Sequence, residues 1–358
     1  MASISTLEPQ RFQTLFKTQF PIIQAPMAGV QDHRLAVAVS NAGGLGSLPA
    51  AMLSLDALRS ELTELSAKTD KPYNVNFFCH SPPEFSETRE AAWRTALKPY
   101  YDELGLDINN IPTGPGRAPF TDEAADVLEV FKPAVVSFHF GLPSADLMQR
   151  VRAWKSWGCK IISSATTVEE AVWLESQGVD AVIAQGLEAG GHRGHFLSND
   201  LALQMGTFAL LPQIVQAVKI PVIAAGGICD AASVAAAMAL GASAVQVGTA
   251  YLLCDEATTS PIHRAALTST YQSNTALTNL FTGRPARGIV NRLMRELGAI
   301  NPAAPEFPLS TGSIAPLRAF AEKTGSGDFT PLWSGQNASA CRDISAAAMT
   351  RLLASADY

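Results

Sequence analysis

The chain has 358 residues, 47% hydrophobic and only 16% charged, which excludes a disordered polymer and leaves room for one large α/β domain or two smaller ones. A net charge of −6 with dispersed basic residues argues against a nucleic-acid partner. One basic cluster stands out, Arg284, Arg287, Arg292 and Arg295, and it reads as a solvated helix face or as a neighbour of an anionic ligand. The five cysteines are far apart, odd in number and free of any CxxC pair, so neither a disulfide framework nor a metal site is indicated and a reducing cytoplasm fits. The N-terminal MASISTLEPQRFQTLFKTQF lacks the apolar core of a secretory signal, and the C-terminal ADY is no retention tripeptide. Ala231–Cys254 carries no charge, but its alanine and glycine content and the break at Gly241 read as a buried helix and strand, so no membrane partner is expected.

Short apolar runs bounded by Gly, Pro and Asp predict strands at Pro21–Gln24, Gly44–Leu48, Tyr73–Phe78, Ala134–Phe140, Lys160–Ala165, Ala181–Gln185, Pro221–Ala225 and Ala244–Val247. Helical periodicity predicts helices at Leu53–Lys68, Ser144–Trp157, Thr167–Gln177 and Asp230–Leu240. Alternation of this kind means parallel strands with crossover helices. Neither a GxGxxG fingerprint nor a P-loop is present, so the expectation is a closed (β/α)8 TIM barrel rather than an open doubly wound sheet. Two segments break the rhythm. Residues 81–121 hold a helix-like run, Ser86–Leu104, and a Pro/Gly-rich loop around Pro112–Pro119; residues 257–358 follow the eighth strand. They read as a lid-like insertion and a C-terminal cap, leaving residues 1–80 and 122–256 as the barrel.

Barrel chemistry collects at the carboxyl ends of the strands. The first strand ends in Gln24-Ala25-Pro26-Met27, the third carries Asn76, and the fourth ends in His139. The sixth runs through Gln185 into Gly190-Gly191-His192, the seventh ends Ala225-Gly226-Gly227, and the eighth Gln246-Val247-Gly248-Thr249. Glycines after the last two strands expose backbone N–H groups at the starts of the following helices, a site for a phosphate dianion. Asn76 and Gln185 offer donors and acceptors to a heteroaromatic edge, and Pro26-Met27 and Gly190-Gly191 offer flat walls, which is the shape of an FMN site. His192 has the residue type of a base working near neutral pH. His139, between Phe138 and Phe140, is either a substrate neighbour or a satisfied core histidine.

The runs PIIQAPMAG, SNAGGLGS, NVNFFCH, VVSFHFG, AQGLEAGGHRG, IPVIAAGGI and SAVQVGTAYLLC, spanning Phe20 to Cys254, resemble the nitronate monooxygenases, class I in particular. The resemblance implies FMN held by Ala25, Pro26, Met27, Asn76, Gln185 and Gly191, with Gly226, Gly227, Gly248 and Thr249 on the phosphate, beside Gln246. It implies His192 as catalytic base, His139 near the substrate, and oxidation of alkyl nitronates such as propionate 3-nitronate by O2 to a carbonyl product and nitrite. The partners would be a small-molecule substrate and O2, in a monomer or homodimer. The chain departs from the family pattern at two places: a Tyr-Pro-x-x-Tyr-Asp-x-x-Lys segment corresponds here to Phe307-Pro308-Leu309-Ser310-Thr311-Gly312-Ser313-Ile314-Ala315, and a further family tyrosine expected in the insertion is replaced within Ile111–Phe120, where prolines and glycines dominate. Without those phenols and that ammonium, a pocket for larger or less charged substrates is expected. The competing readings are an FMN oxidoreductase using NAD(P)H with a quinone, enoyl thioester or specialised metabolite, and a flavin-binding protein of low turnover.

Overall fold

The structure, a computed structural model, describes residues 4–111 and 117–357, so most of the loop expected at Pro112–Pro119 lies outside the described residues. The strands are β1 (Ile22–Gln24), β2 (Gly46–Pro49), β3 (Tyr73–Phe78), β4 (Val135–His139), β5 (Lys160–Ala165), β6 (Ala181–Gln185), β7 (Gly191–His192), β8 (Val222–Ala225), β9 (Ala244–Val247), β10 (Thr275–Thr278) and β11 (Ala286–Ile289). Eight form one parallel sheet in the order β1-β9-β8-β6-β5-β4-β3-β2, matching the eight expected strands to within a residue or two. Leu45 N–H donates to the Ile22 carbonyl at 2.8 Å and Gln24 N–H to the Leu45 carbonyl at 3.0 Å, which joins the sheet's two edges. The fold is a (β/α)8 barrel.

Alternation along each strand sorts the side chains. Ile23, Val135, Ile162, Ile183 and Ile223 point into the barrel, while Ile22, Val136, Ile161, Val182 and Val222 point out against the helices. The helix Ile4–Phe16, which the sequence pattern does not announce, places Phe12 and Phe16 in the interior cluster, their rings stacked at 4.5 Å.

Eight helices follow the eight barrel strands in turn: His33–Asn41, Leu55–Lys68, Asp122–Phe131, Ala145–Ala153, Val168–Ser176, Thr207–Ala217, Ala231–Ala239 and Ala346–Ala354. The last of these changes the meaning of the C-terminal region. Its Ala346, Met349 and Leu353 are buried in the barrel's outer core, so it is the eighth barrel helix and residues 255–345 are an excursion between β9 and its partner. That excursion packs on the earlier one. Trp93, Leu97, Tyr100 and Tyr101 of the helix Glu87–Glu103 share a core with Leu280, Phe281, Leu293, Leu317 and Phe329. Arg292 adds a two-pronged ion pair to Glu103 at 2.8 and 2.7 Å.

The expected arginine face does not exist as one surface. Arg292 and Arg295 lie on the helix Arg292–Leu297, but Arg287 lies on β11, 5% exposed, and Arg284 precedes that strand with its guanidinium 4.1 Å from the Phe140 ring centroid. The segment folds as a turn leading into a fully buried strand rather than as a helix, which is why Arg287 is buried. Among the described residues no helix is long and apolar enough to cross a membrane. Ala231–Cys254 is instead a helix, β9 and a short 3-10 turn.

Candidate active site at the barrel mouth

The carboxyl ends of the strands open onto a cavity that is continuous with solvent. Ala25, Pro26, Met27, Asn76, His139, Gln185, Gly190, Gly191, His192, Ala225, Gly226, Gly227, Gln246, Gly248 and Thr249 all line it. Val247 does not. It is 1% exposed and belongs to the outer core, because alternation along β9 sends Gln246 inward and Val247 to the helix layer.

His192 sits on β7, a two-residue strand that pairs antiparallel with β11: Ala286 lies opposite His192 and Arg287 opposite Gly191. Buried polar groups hold the turn from inside. Gln185 Nε2 donates to the His192 carbonyl at 2.9 Å and its Oε1 accepts from Gly194 N–H at 2.7 Å. Arg193, wholly buried, donates to the Gln185 carbonyl at 2.7 Å, the Gly186 carbonyl at 2.6 Å and Gln204 Oε1 at 3.0 Å. Gln185 therefore spends its amide on the turn, where the sequence reading aimed it at a ligand.

His139 belongs to the same scaffold. Its Nε2 faces the His192 carbonyl at 3.2 Å, and a carbonyl only accepts, so Nε2 carries the proton and Nδ1 accepts from the Ser164 hydroxyl. Burial and the charges of Arg284 and Arg193 push its pKa down to about 3, so the ring is neutral. Of the two readings left open for His139, the geometry joins them: it lines the cavity, yet both nitrogens work on the protein. Gly194 makes the approach feasible, since a Cβ there would lie 2.7 Å from His139 Cε1.

The His192 ring lies among aromatics, with centroids at 5.3 Å from Phe307, 5.6 Å from Trp333, 5.9 Å from Phe140 and 6.0 Å from Phe78. Its pKa is held well below the ordinary value by desolvation, then by the positive charge of Arg117 and by His139, Arg284 and His80. Nε2 is 2.9 Å from the Thr282 hydroxyl, which in turn points its proton to the Arg284 carbonyl at 3.4 Å. Thr282 Oγ1 then accepts from Nε2–H, and Nδ1 is the nitrogen left without a proton.

The opposite side of the cavity has unspent hydrogen-bonding capacity. The backbone N–H groups of Gly227, Gly248 and Thr249 have no partner among the described residues. Gln246 Oε1 is buried without a partner, and Asn76, whose Nδ2 donates to Ser137 Oγ at 2.9 Å, keeps its Oδ1 available. The helix Ala231–Ala239 contributes less to this cradle than its position promises, because Asp230 caps its first turn through a reciprocal pair with Ser233. The 3-10 turn Thr249–Leu253 has no such cap. A loop from the long excursion covers this corner: Gly335 N–H donates to Thr249 Oγ1 at 2.9 Å and Asn337 Nδ2 to the Gly227 carbonyl at 3.1 Å. This explains Gly190, whose Cβ would lie 2.5 Å from Gly335 N. Gly191, at φ +72°, has open space where its Cβ would be, so it serves backbone conformation at the cavity edge.

Several contributors carried no sequence signal. Trp333, Gly335 and Asn337 reach the site from the far end of the long excursion, and Arg117 lines the cavity from the insertion with its Nη1 3.0 Å from Thr311 Oγ1. Arg193 had one signal, an arginine inside a glycine turn with no acid beside it. Of the three positions in the departing segment, Phe307 packs on His192 and Thr311 holds Arg117, while Ala315 is exposed on the helix Ser310–Lys323.

A closed parallel barrel with a neutral histidine and unpaired amides at its mouth is the frame of a βα-barrel oxidoreductase. The family model for nitronate monooxygenase matches residues 10–354, and the chain belongs to that family. It is 42% identical over 350 residues to a nitronate monooxygenase of Pseudomonas aeruginosa, covering 96% of this chain and 97% of that one. A probable nitronate monooxygenase of Bacillus subtilis is 37% identical over 335 residues, covering 91% and 92%. Among solved structures, a nitroalkane oxidase from Streptomyces ansochromogenes superposes with a TM-score of 0.86 at 39% identity over 96% of each chain. FabK from Thermotoga maritima follows the same fold with a TM-score of 0.70 at 29% identity, covering 96% of this chain and 94% of that one. The family is one of flavin-dependent oxidoreductases.

Proposed function

We propose that this protein binds FMN noncovalently at the barrel mouth and oxidises alkyl nitronates by O2, releasing a carbonyl compound and nitrite. The observation that carries the reading is the pairing, in one cavity, of unpartnered N–H groups at Gly227, Gly248 and Thr249 with a neutral His192 across from them. The residues fit the cofactor: adjacent backbone N–H groups suit a phosphate, and the free acceptors Gln246 Oε1 and Asn76 Oδ1 suit the donor edge of a flavin ring. When bound, the flavin supplies the redox chemistry, taking electrons from the nitronate, with O2 as terminal oxidant.

The chain's own residues bind, orient and move one proton. For a neutral nitroalkane, His192 Nδ1 takes the α-proton, while Thr282 fixes the tautomer and the turn fixes the ring. Phe78, Phe140, Phe307 and Trp333 keep water from the imidazole, which holds it in the basic, uncharged state. A preformed nitronate bypasses this step.

The test is spectroscopic. Purified protein is expected to be yellow, to release FMN on heating, to bleach on adding nitronate without air, and to regain colour with nitrite formation when air is admitted. Protein that stays colourless after refolding with ample FMN would end the cofactor reading. Colour that NADH bleaches and nitronate leaves untouched would replace the substrate.

A further inference from the structure

We propose that His263 is a second free imidazole of the cavity, whose Nδ1 accepts a hydrogen bond from a neutral donor, a hydroxyl or an N–H, on the bound cofactor or substrate. The flavin and nitronate reading supplies those ligands, so the proposal rests on it and deepens it, while the free acceptor stands on geometry.

Three histidines line the cavity among the described residues, His139, His192 and His263. His139 spends both ring nitrogens on the protein, and His192 keeps Nδ1 free. His263 follows the second pattern. Its Nε2 lies 3.1 Å from the Trp333 carbonyl, which only accepts, so Nε2 carries the proton and Nδ1 is a bare acceptor without a partner among the described residues. The Nδ1 atoms of His80 and His195 also lack partners, but they are sealed inside the protein; that of His263 is not, and the residue, only 4% exposed, forms part of the cavity wall. Burial pushes its pKa down to about 4, so at neutral pH the ring is uncharged.

The helix Pro261–Thr268 holds the ring in place. Ser260 Oγ accepts from His263 N–H at 3.3 Å. Arg264, next in sequence, donates to the Leu253 and Cys254 carbonyls at 2.9 and 2.7 Å, which fastens the helix to the 3-10 turn that begins at Thr249. Ile262 and Leu267 of this helix share an apolar cluster with Val30 and Leu252, which also line the cavity. A lone acceptor on an apolar wall selects a neutral donor, because a ligand N–H or O–H buried there without it would go unpaired. Trp333 joins the two free imidazoles: its carbonyl accepts from His263, and its ring centroid is 5.6 Å from that of His192. The cavity thus offers one imidazole nitrogen for a proton and another for a hydrogen bond.

The experiment divides the two ring nitrogens of His263 between two substitutions. His263→Gln keeps an amide N–H for the Trp333 carbonyl and removes the cavity acceptor; His263→Asn keeps an acceptor near Nδ1 and gives up the carbonyl. FMN affinity is read from flavin fluorescence on titration into cofactor-free protein, and kcat/KM is compared for the nitronates of 3-nitropropanol and 1-nitrobutane, in which a methyl group replaces the hydroxyl. If the cofactor is the donor, His263→Gln weakens FMN about tenfold, His263→Asn stays within about threefold, and both nitronates respond alike. If the substrate is the donor, FMN affinity holds and His263→Gln lowers kcat/KM about tenfold for the hydroxylated nitronate alone, through KM. An equal effect of the two substitutions on every readout makes His263 a support for Trp333 and overturns the proposal, as does native behaviour of His263→Gln throughout. Nitrogen-15 spectra of histidine-labelled native protein test the acceptor without any ligand: the His263 resonances, assigned by their loss in His263→Gln, should place the proton on Nε2, and a proton on Nδ1 overturns the proposal. Native protein that binds no FMN removes the flavin reading instead. Calorimetric titration of 3-nitropropanol against 1-nitrobutane then decides, a hydroxyl preference lost in His263→Gln supporting the subsite and the absence of a preference in the native protein overturning it.

Discussion

The two sides of the barrel mouth are built on opposite principles. On the side of β6 and β7, polar groups are spent on one another: Arg193, Gln185 and His139 close a network around the His192 carbonyl and its neighbours. On the side of β8 and β9, Gly227, Gly248 and Thr249 present N–H groups with no protein partner, and Gln246 keeps a buried carbonyl oxygen unpaired. A buried polar atom without a partner costs stability, and Gln246 Oε1 is such an atom, which supports the proposal that a ligand completes this side. In the proposed function the satisfied side fixes the position of the reacting group and the unsatisfied side binds. Substitutions on the first should therefore damage fold and rate together, and those on the second should damage ligand occupancy alone.

The largest effect is expected from Arg193→Met. It removes the donor from two buried carbonyls and Gln204, a loss of about 3 kcal/mol or more given about 1–3 kcal/mol for each acceptor left unpaired. Urea unfolding should show the drop, and turnover of every substrate should fall with it as the His192 turn loosens. Unchanged stability would show that water replaces the guanidinium and that the turn is not locked from within.

His192→Asn comes next and separates chemistry from scaffold. Turnover of neutral nitroalkanes should fall by about 100-fold or more, with flavin content retained and preformed nitronates much less affected. The side chain is unlike its neighbours in the turn, because its ring makes one hydrogen bond, to Thr282, while its carbonyl carries the structural load. Equal loss on both substrate types would make His192 a binding residue.

How far the sequence reaches follows the same division. Most of the barrel strands are legible because they are short runs rich in Val, Ile and Ala and buried on both faces, and several of their ends stand out by the glycines that follow them. His192 stands out for the same local reason. The long-range partners are not legible. Arg117 meets Thr311 across 194 positions and Arg284 reaches the Arg193 carbonyl across 91, and no local pattern encodes either meeting. Spacing alone does not distinguish a short strand from a helix, so in sequence Arg284 and Arg287 read either as part of a solvated helix face or as neighbours of an anionic ligand. The eighth barrel helix was hidden by the 255–345 excursion that precedes it.

Acid should sharpen the comparison in a different way. Burial depresses His139 and His195 to about 3, and His80 and His263 to about 4. As pH falls through about 6.5 the unfolded chain takes up protons at these residues and the folded chain does not, until near pH 3–4. Stability is thus full above the unfolded pKa and is lost progressively below it, so Tm should decline steadily from pH 7 to pH 4. A flat Tm over that range would mean that these histidines are not buried neutral. Over the upper part of the same window, activity on a neutral nitroalkane should persist below pH 6.5, because His192 stays uncharged. Arg117→Met removes one of the charges facing that ring and should move the acidic limb upward.

A smaller effect is expected at Gly227, on the unsatisfied side. A Cβ there meets nothing closer than the Glu188 side chain at 3.6 Å, so the cost is the φ of +74°, about 1–2 kcal/mol for an L residue. Gly227→Val should stay folded and lose bound flavin, read as the ratio of flavin to protein absorbance. Full occupancy would remove this glycine from the phosphate cradle.

The smallest effect is expected from Ala315→Lys, and its smallness is informative. By sequence register Ala315 stands where an ammonium would reach the substrate, so restoring a lysine should strengthen anion binding. The fold says otherwise: Ala315 is exposed on the helix Ser310–Lys323, whereas Ser313 and Ile314 are buried and Thr311 is turned to Arg117. A lysine at 315 would extend into solvent, and an exposed charge contributes little across a screened distance. The expected change in kcat/KM for propionate 3-nitronate is under about twofold, measured against the native protein in the same buffer. A tenfold gain would show that the helix presents its 315 side to the cavity when substrate is bound.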